Sequence, residues 1–197
     1  SVETLCNDAR QHGLEVLLPE GNESREGAWP TAGGFRLGVR QVARLGSDWR
    51  SRADSTAARI GSVREAGGPF ASLHDLVTRA ALKTDEAEAL IRADALRSFG
   101  LSRRELLWQL GLLVPRAGAQ MPLALPTEQD MVELPPLTEW DQELWDFETM
   151  GLSSTHPMAL VRPLLNESVL TSRHIGGPRN DNRMPHGTHV LVAGIEV

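Results

Sequence analysis

Two short phrases in this 197-residue chain could present backbone donors to an anion. In FRLGVRQVARLG, Arg44, Leu45 and Gly46 read as a tight turn after a short helix over 39–43. In ALIRADALRSFG, Asp94 and Ala95 hold the matching place after a helix over 85–93. A Gly-containing turn lets main chain come close to a phosphate, and the start of the next helix supplies unpaired N–H groups and partial positive charge. Such contacts fix a sugar-phosphate backbone in place without reading bases. Leu45 would plug the first helix pair while Gly46 makes the approach. The usual turn is Gly-apolar-Gly, so Arg44 replaces the first Gly. Arg40, Arg44 and Arg50 would supply charge around the first turn, with Ala95, Arg92, Arg97, Arg103 and Arg104 forming the second.

Other groupings offer less. Carboxylates in EWDQELWDFE (139–148) could serve two-metal catalysis, but the run reads as a solvated acidic helix face. His186 and His189 sit three apart where a strand begins, which points them to opposite faces, so no zinc site is expected. Cys6 is the only cysteine. It excludes an internal disulfide and reads as a small buried hydrophobe. There is no Gly-rich phosphate loop or nucleophile elbow, and no catalytic or metal-ligating residue is assigned.

The elements that must position the turns follow from periodicity and caps. Residues 2–12 place Val2, Leu5, Cys6 and Ala9 on one stripe, with Gly13 as the stop. LEVLL reads as a strand and PEGNESREGAWPTAGG as a polar connection. Beyond Phe35 the pattern turns helical. Ser47 is read as the N-cap of a helix reaching about Glu65, which GGPF ends. Ser72 with Asp75, Thr84, and Ser102 with Glu105 read as the next caps. Leu73, Leu76, Val77, Leu82, Leu90, Ile91, Leu96, Phe99, Leu106, Leu107 and Leu110 form the expected core, joined by Trp108. Residues 114–137 hold five prolines and read as an extended linker. A helix from Thr138, another in HPMALVRPLL and a strand in THVLVAGIEV complete the chain.

Charge divides along the same lines. The formal net charge is −6. Residues 36–118 carry fourteen basic and nine acidic side chains, whereas 119–161 carry eight acids and no Lys or Arg. A basic block between acidic ones fits local contact with a polyanion better than the total would imply. No run of about 18 apolar residues marks a membrane span.

The order of these phrases, FRLGVRQVARLG, REAGGPFASLHDLV, ALIRADALRSFGLSRRELLWQLGL and GLSSTHPMALVRPLL, resembles the bacterial C-family DNA polymerases, which are polymerase III alpha-like, and most closely their error-prone branch. The resemblance implies a mainly α fold: a tandem helix-hairpin-helix domain with a small α/β remnant before it and the first strand of a truncated OB-fold after it. It implies the end of a fingers region at 1–34, tandem hairpins at 35–113, a linker at 114–137 and the approach to the OB-fold at 138–197. It leads one to expect Gly where Asp94 stands, and a carboxylate there repels phosphate and takes the left-handed conformation less readily. It also places a sliding-clamp-binding peptide in the linker, which Gln120, Met121, Leu123 and Leu125 match. An extended, Pro-stiffened peptide of this kind docks at low entropic cost.

The implied protein is a cytoplasmic DNA-directed DNA polymerase acting in damage-induced mutagenesis and translesion synthesis. Its partners would be primer-template duplex, the clamp and other mutagenesis proteins. Magnesium would be held by aspartates of a palm lying upstream, so this portion would have no cofactor and no activity alone. Read without the resemblance, the pattern also fits a stand-alone hairpin DNA-binding repair module, or a helical interaction domain that binds no DNA.

Overall fold

The computed structural model describes residues 2–46, 55–113, 134–152, 157–170 and 187–194. The fold is mainly α. Two compact units divide the chain, 1–154 and 155–197.

The first unit opens with helix α1 (Val2–Gln11), which buries Cys6 and ends at Gly13 with φ 78°. Of the expected stripe only Cys6 is buried; Val2 and Leu5 stay exposed. Three short strands follow: β1 (Glu15–Leu17), β2 (Trp29–Thr31) and β3 (Gly34–Arg36). β3 lies in the middle, parallel to β1 and antiparallel to β2. A Cβ on Gly38 would stand 2.2 Å from the Glu26 carbonyl oxygen, so only Gly lets the chain pass there. That close approach seats the polar loop 25–27 against the start of the first hairpin, where the amides of Val39 and Arg40 donate to the carbonyls of Arg25 and Glu26.

The first hairpin has a single 3-10 turn (Val39–Gln41) as its first helix. Its second is α2 (Thr56–Gly67), capped by Ser55, whose hydroxyl accepts from the Ala58 amide at 3.0 Å. The cap expected at Ser47 is thus at Ser55, and residues 47–54 lie outside the described residues. The C-terminal end of α2 is held by Arg79. Its guanidinium donates to the carbonyls of Val63 and Gly68, pairs with Asp75 at 3.0 Å and lies over the Phe70 ring. A cation against orphan helix carbonyls is favourable on both hydrogen-bond and dipole grounds.

Helix α3 (Leu73–Arg79) carries Ser72 as its cap. The reciprocal half of the expected box is shifted by one residue, because Asp75 accepts from Ala71 rather than Ser72. That amide, helped by Arg79, holds the Asp75 carboxyl below the usual carboxylate range. Helix α4 (Thr84–Arg92) starts at Thr84, one residue earlier than expected, with the Lys83 amide donating to Glu86. A 3-10 turn (Arg97–Phe99) and α5 (Arg103–Leu113) complete the second hairpin. At the start of α5, Ser102 and Glu105 exchange both capping bonds. The Ser102 hydroxyl and amide keep the Glu105 carboxyl below its ordinary range.

Helix α6 (Glu139–Met150), capped by Thr138, packs on α4 within this same unit. The core joins both hairpins: Leu37, Val39, Val42, Leu45, Ile60, Phe70, Leu76, Leu90, Ile91, Leu96, Leu106, Met150 and Leu152 are buried. Each large aliphatic side chain so removed from water contributes roughly 1.5–3 kcal/mol before the cost of ordering it. Trp108, expected in this core, is half exposed on the outer side of α5. The reason is register: α5 buries Leu106 and Leu110, which leaves Trp108 and Leu112 on its solvent side.

The second unit contains α7 (Pro157–Val161), a 3-10 turn (Arg162–Leu164) and a parallel pair of two-residue strands, β4 (Val169–Leu170) and β5 (Leu191–Val192). Leu191 and Val192 are exposed. Among the described residues no helix is long and apolar enough to cross a membrane.

Candidate functional site

The first turn is built on a buried plug with an open rim. Leu45 is 0% exposed and sits between the 3-10 turn and α2. On either side of it, Arg44 and Gly46 face solvent. Arg44 has φ 71°, the left-handed region that a Gly would occupy without cost. Among the described residues, neither the Arg44 nor the Gly46 amide has a backbone acceptor. The surrounding cations are accessible. The Arg44 side chain is 64% exposed, 3.5 Å from Asp85, and Arg40 lies 3.6 Å from Glu26. Exposed pairs at such distances are weak, so either Arg can exchange its carboxylate for a phosphate at little cost. The rear of the turn is fixed: the Ala43 amide donates to the Thr149 carbonyl at 2.7 Å, and the Gln41 amide group donates to the Met150 carbonyl.

The second turn has the same backbone step and a closed rim. Asp94 has φ 54°, and Ala95, the plug equivalent to Leu45, is 0% exposed. Here the Asp94 amide donates to the Ile91 carbonyl and Ala95 to the Leu90 carbonyl, whereas in the first turn it is the plug amide of Leu45 that is held, by the Val42 carbonyl. The Ala95 carbonyl accepts from the Gly21 amide at 2.7 Å. The loop carrying Gly21 lies across the turn. Asn22 donates to the Phe70 carbonyl and to the Ser98 hydroxyl, while Arg64 donates to the Gly21 carbonyl. The buried Glu20 places a carboxylate 3.4 Å from the Ser98 amide and 2.7 Å from the Asn22 amide. An internal anion therefore stands beside the N–H groups that follow the second turn.

The arginines around the second turn are held by the protein. Arg103 is buried, 2.8 Å from the fully buried Asp146 and 3.3 Å from Asp94. Arg97 pairs with Asp94 and donates to the Pro19 carbonyl. Arg92 pairs with Glu88 and Glu148 and lies 4.9 Å from the centre of the Trp145 ring. Arg104 donates to the Pro135 carbonyl. The structure thus gathers Arg40, Arg44, Leu45 and Gly46 at one exposed rim; at the second turn it buries Arg103 against Asp94 and Asp146, while Arg92 and Arg97 stay partly exposed in ion pairs with Glu88, Glu148 and Asp94. Arg50, Gln120, Met121, Leu123 and Leu125 lie outside the described residues. Among the described residues no group of three or more His, Cys, Asp or Glu is placed to hold a metal ion.

Three features escaped sequence reasoning. The loop 19–24 covers the second turn, Arg79 caps α2, and Asp146 neutralises Arg103 across α5 and α6. The first two depend on contacts distant in the chain and left no local pattern. The third had one visible trace, a basic residue at the start of a helix whose charge opposes the macrodipole.

The helix-hairpin-helix motif family matches residues 13–106. An error-prone DNA polymerase of Rhodopirellula baltica is 36% identical to this chain over 97% of its length, covering 16% of the relative. One of Burkholderia pseudomallei is 33% identical over 96% of the chain and covers 18% of the relative. One of Mycobacterium tuberculosis is 32% identical over 98% of the chain and covers 17% of the relative. The chain spans less than a fifth of the length of these curated relatives. With paired hairpins in a mainly helical fold, the chain is similar along nearly its whole length to one stretch of error-prone DNA polymerases.

Proposed function

We propose that this chain is the duplex-gripping segment of an error-prone DNA-directed DNA polymerase, and that the first hairpin does the gripping. The observation that carries this reading is the exposed rim of Arg44 and Gly46 over the buried Leu45, with amides that lack backbone acceptors among the described residues and two accessible arginines. A phosphate docked there meets N–H donors and cations at once, and nothing at the rim reads a base edge. Binding is therefore indifferent to sequence and falls steeply with salt. Arg50 belongs to the same set by its place in the chain. The second hairpin serves as a support that keeps the first in position, because its Asp94 and Ala95 amides already have partners and Glu20 stands against the Ser98 amide.

In the whole polymerase, this segment would hold primer-template duplex while a palm outside this chain adds nucleotides with aspartate-bound magnesium. The setting would be damage-induced mutagenesis and translesion synthesis in the cytoplasm. The linker peptide of Gln120, Met121, Leu123 and Leu125 would tether the enzyme to the sliding clamp, alongside contacts with other mutagenesis proteins.

Fluorescence anisotropy with a labelled primed duplex tests the first part. Log affinity should fall linearly with log salt, at roughly −0.9 per phosphate contact. Arg40→Ala with Arg44→Ala should weaken binding about tenfold and flatten that slope by about 2. Affinity that is undetectable at low salt, or unchanged in the double variant, removes the hairpin reading. For the linker, Gln120→Ala with Leu123→Ala should abolish clamp binding in surface plasmon resonance. A wild-type chain that ignores the clamp ends that assignment.

A further inference from the structure

Helix α6 wears its apolar stripe on the outside. Trp140, Leu144 and Phe147, spaced by four and three residues, are each more than half exposed. The inward face is formed instead by Asp146, Thr149 and Met150, with Asp146 paired to Arg103. At 100° per residue the three apolar side chains form one narrow strip. Glu139 and the partly buried Glu143 border it on one side, the exposed Asp141 and Glu148 on the other. The helix holds five acidic residues and no Lys or Arg. Next to the strip, a groove of about 510 Å³ runs between α5 and α6, lined by Leu107, Trp108, Leu134, Leu137, Trp145 and Asp141, with Arg104 at its edge. Trp108 and Leu112 extend the apolar surface onto α5.

Two aromatic-rich surfaces of this kind are common in recognition: one stacks nucleobases, the other takes an amphipathic helix. Base stacking needs a cationic track for the phosphates, and here carboxylates flank the strip on both sides. A membrane surface is disfavoured for the same reason, since its headgroups are largely anionic. The complement of an apolar strip edged with carboxylates is an apolar strip edged with Lys and Arg. We infer that the outer face of α6, with the adjoining α5 groove, docks a basic amphipathic helix of a protein partner.

The test uses the 197-residue chain and a fluorescein-labelled 18-residue Lys/Leu peptide patterned as an amphipathic helix. Two controls are a scrambled peptide of the same composition and a Glu/Leu peptide of the same pattern. The patterned basic peptide should bind at least about tenfold tighter than either. Leu144→Ser with Phe147→Ser should remove that margin while circular dichroism and duplex affinity stay as in the parent, because both side chains lie in solvent. Glu139→Gln with Glu148→Gln should weaken binding by a smaller factor, about threefold, and make it less salt-dependent. In a ¹H–¹⁵N spectrum of the unmodified chain, the indole resonance of Trp140 should move on peptide addition while that of Trp29 stays. The inference is overturned if the scrambled peptide binds equally well or if Trp140 does not respond. It is also overturned if single-stranded oligonucleotide displaces the peptide, or if the chain sediments as a dimer that Leu144→Ser with Phe147→Ser disperses.

Discussion

Arg44 and Asp94 take the same left-handed step in two similar turns, yet one turn ends in solvent and the other lies under a loop. In both, a small loop plug is fully buried, Leu45 in the first and Ala95 in the second. The difference is in what surrounds the plug. Around Leu45 the amides of the rim lack backbone acceptors among the described residues, and the nearby ion pairs are exposed. Around Ala95 the amides of Asp94 and Ala95 are used, Glu20 brings its own carboxylate, and Asp94 and Asp146 hold Arg103 from two sides. Backbone geometry alone therefore does not make an anion site. On the proposed reading, the same turn becomes a binding surface or an internal strut according to whether its donors and cations are already satisfied.

The largest effect should come from breaking the strut. Asp146 is fully buried against Arg103, and removing one partner leaves a buried charge without its counterion. Asp146→Ala is expected to cost about 3–5 kcal/mol in urea denaturation. A loss well under about 1 kcal/mol would mean that the second hairpin is not locked in this way. Next in size is a matched charge removal. Arg97→Ala with Arg104→Ala should leave duplex affinity within about twofold of the parent, in contrast with the tenfold loss expected at Arg40 and Arg44. Equal losses would erase the distinction between the hairpins.

A smaller effect separates strain from charge at a single residue. Arg44→Gly should raise stability by roughly 1 kcal/mol, because Gly adopts the left-handed conformation without penalty. The same change should weaken duplex binding through the lost cation. Stability and affinity that move together would contradict the assignment of Arg44 to the rim. The smallest effect concerns acid. Asp75 and Glu105 accept backbone and side-chain hydrogen bonds at helix starts, which lowers their carboxyl titrations in the folded chain. The stability they contribute is present above their ordinary carboxylate range and is lost as pH falls through their depressed values. Asp75→Asn with Glu105→Gln should therefore flatten the acid limb of a thermal-stability profile, and an unchanged limb would rule the caps out as its source.

Much of this architecture is legible in local chemistry. The caps at Ser72 and Ser102, the breaks at Gly13 and GGPF, and the apolar positions of α3, α4 and α5 depend on residues only three or four apart, so sequence carries them. Both turns could be found for the same reason, since a plug flanked by a left-handed step is a local pattern. Trp108 was misplaced because periodicity gives a helix its faces but not which of them meets the core. The cap at Ser55 was missed because Ser47 and Ser55 present the same capping chemistry to a short window.

The sequence by itself determined the paired hairpins, the division of charge and the kinship with error-prone polymerases, because each is written in neighbouring residues or in their order. Only the tertiary structure decided which hairpin is open. That choice rests on Glu20, Gly21 and Asp146, which lie roughly forty or more residues from Ser98, Ala95 and Arg103. Long-range hydrogen bonds and buried ion pairs form only when the chain has closed on itself, so no local pattern can announce them.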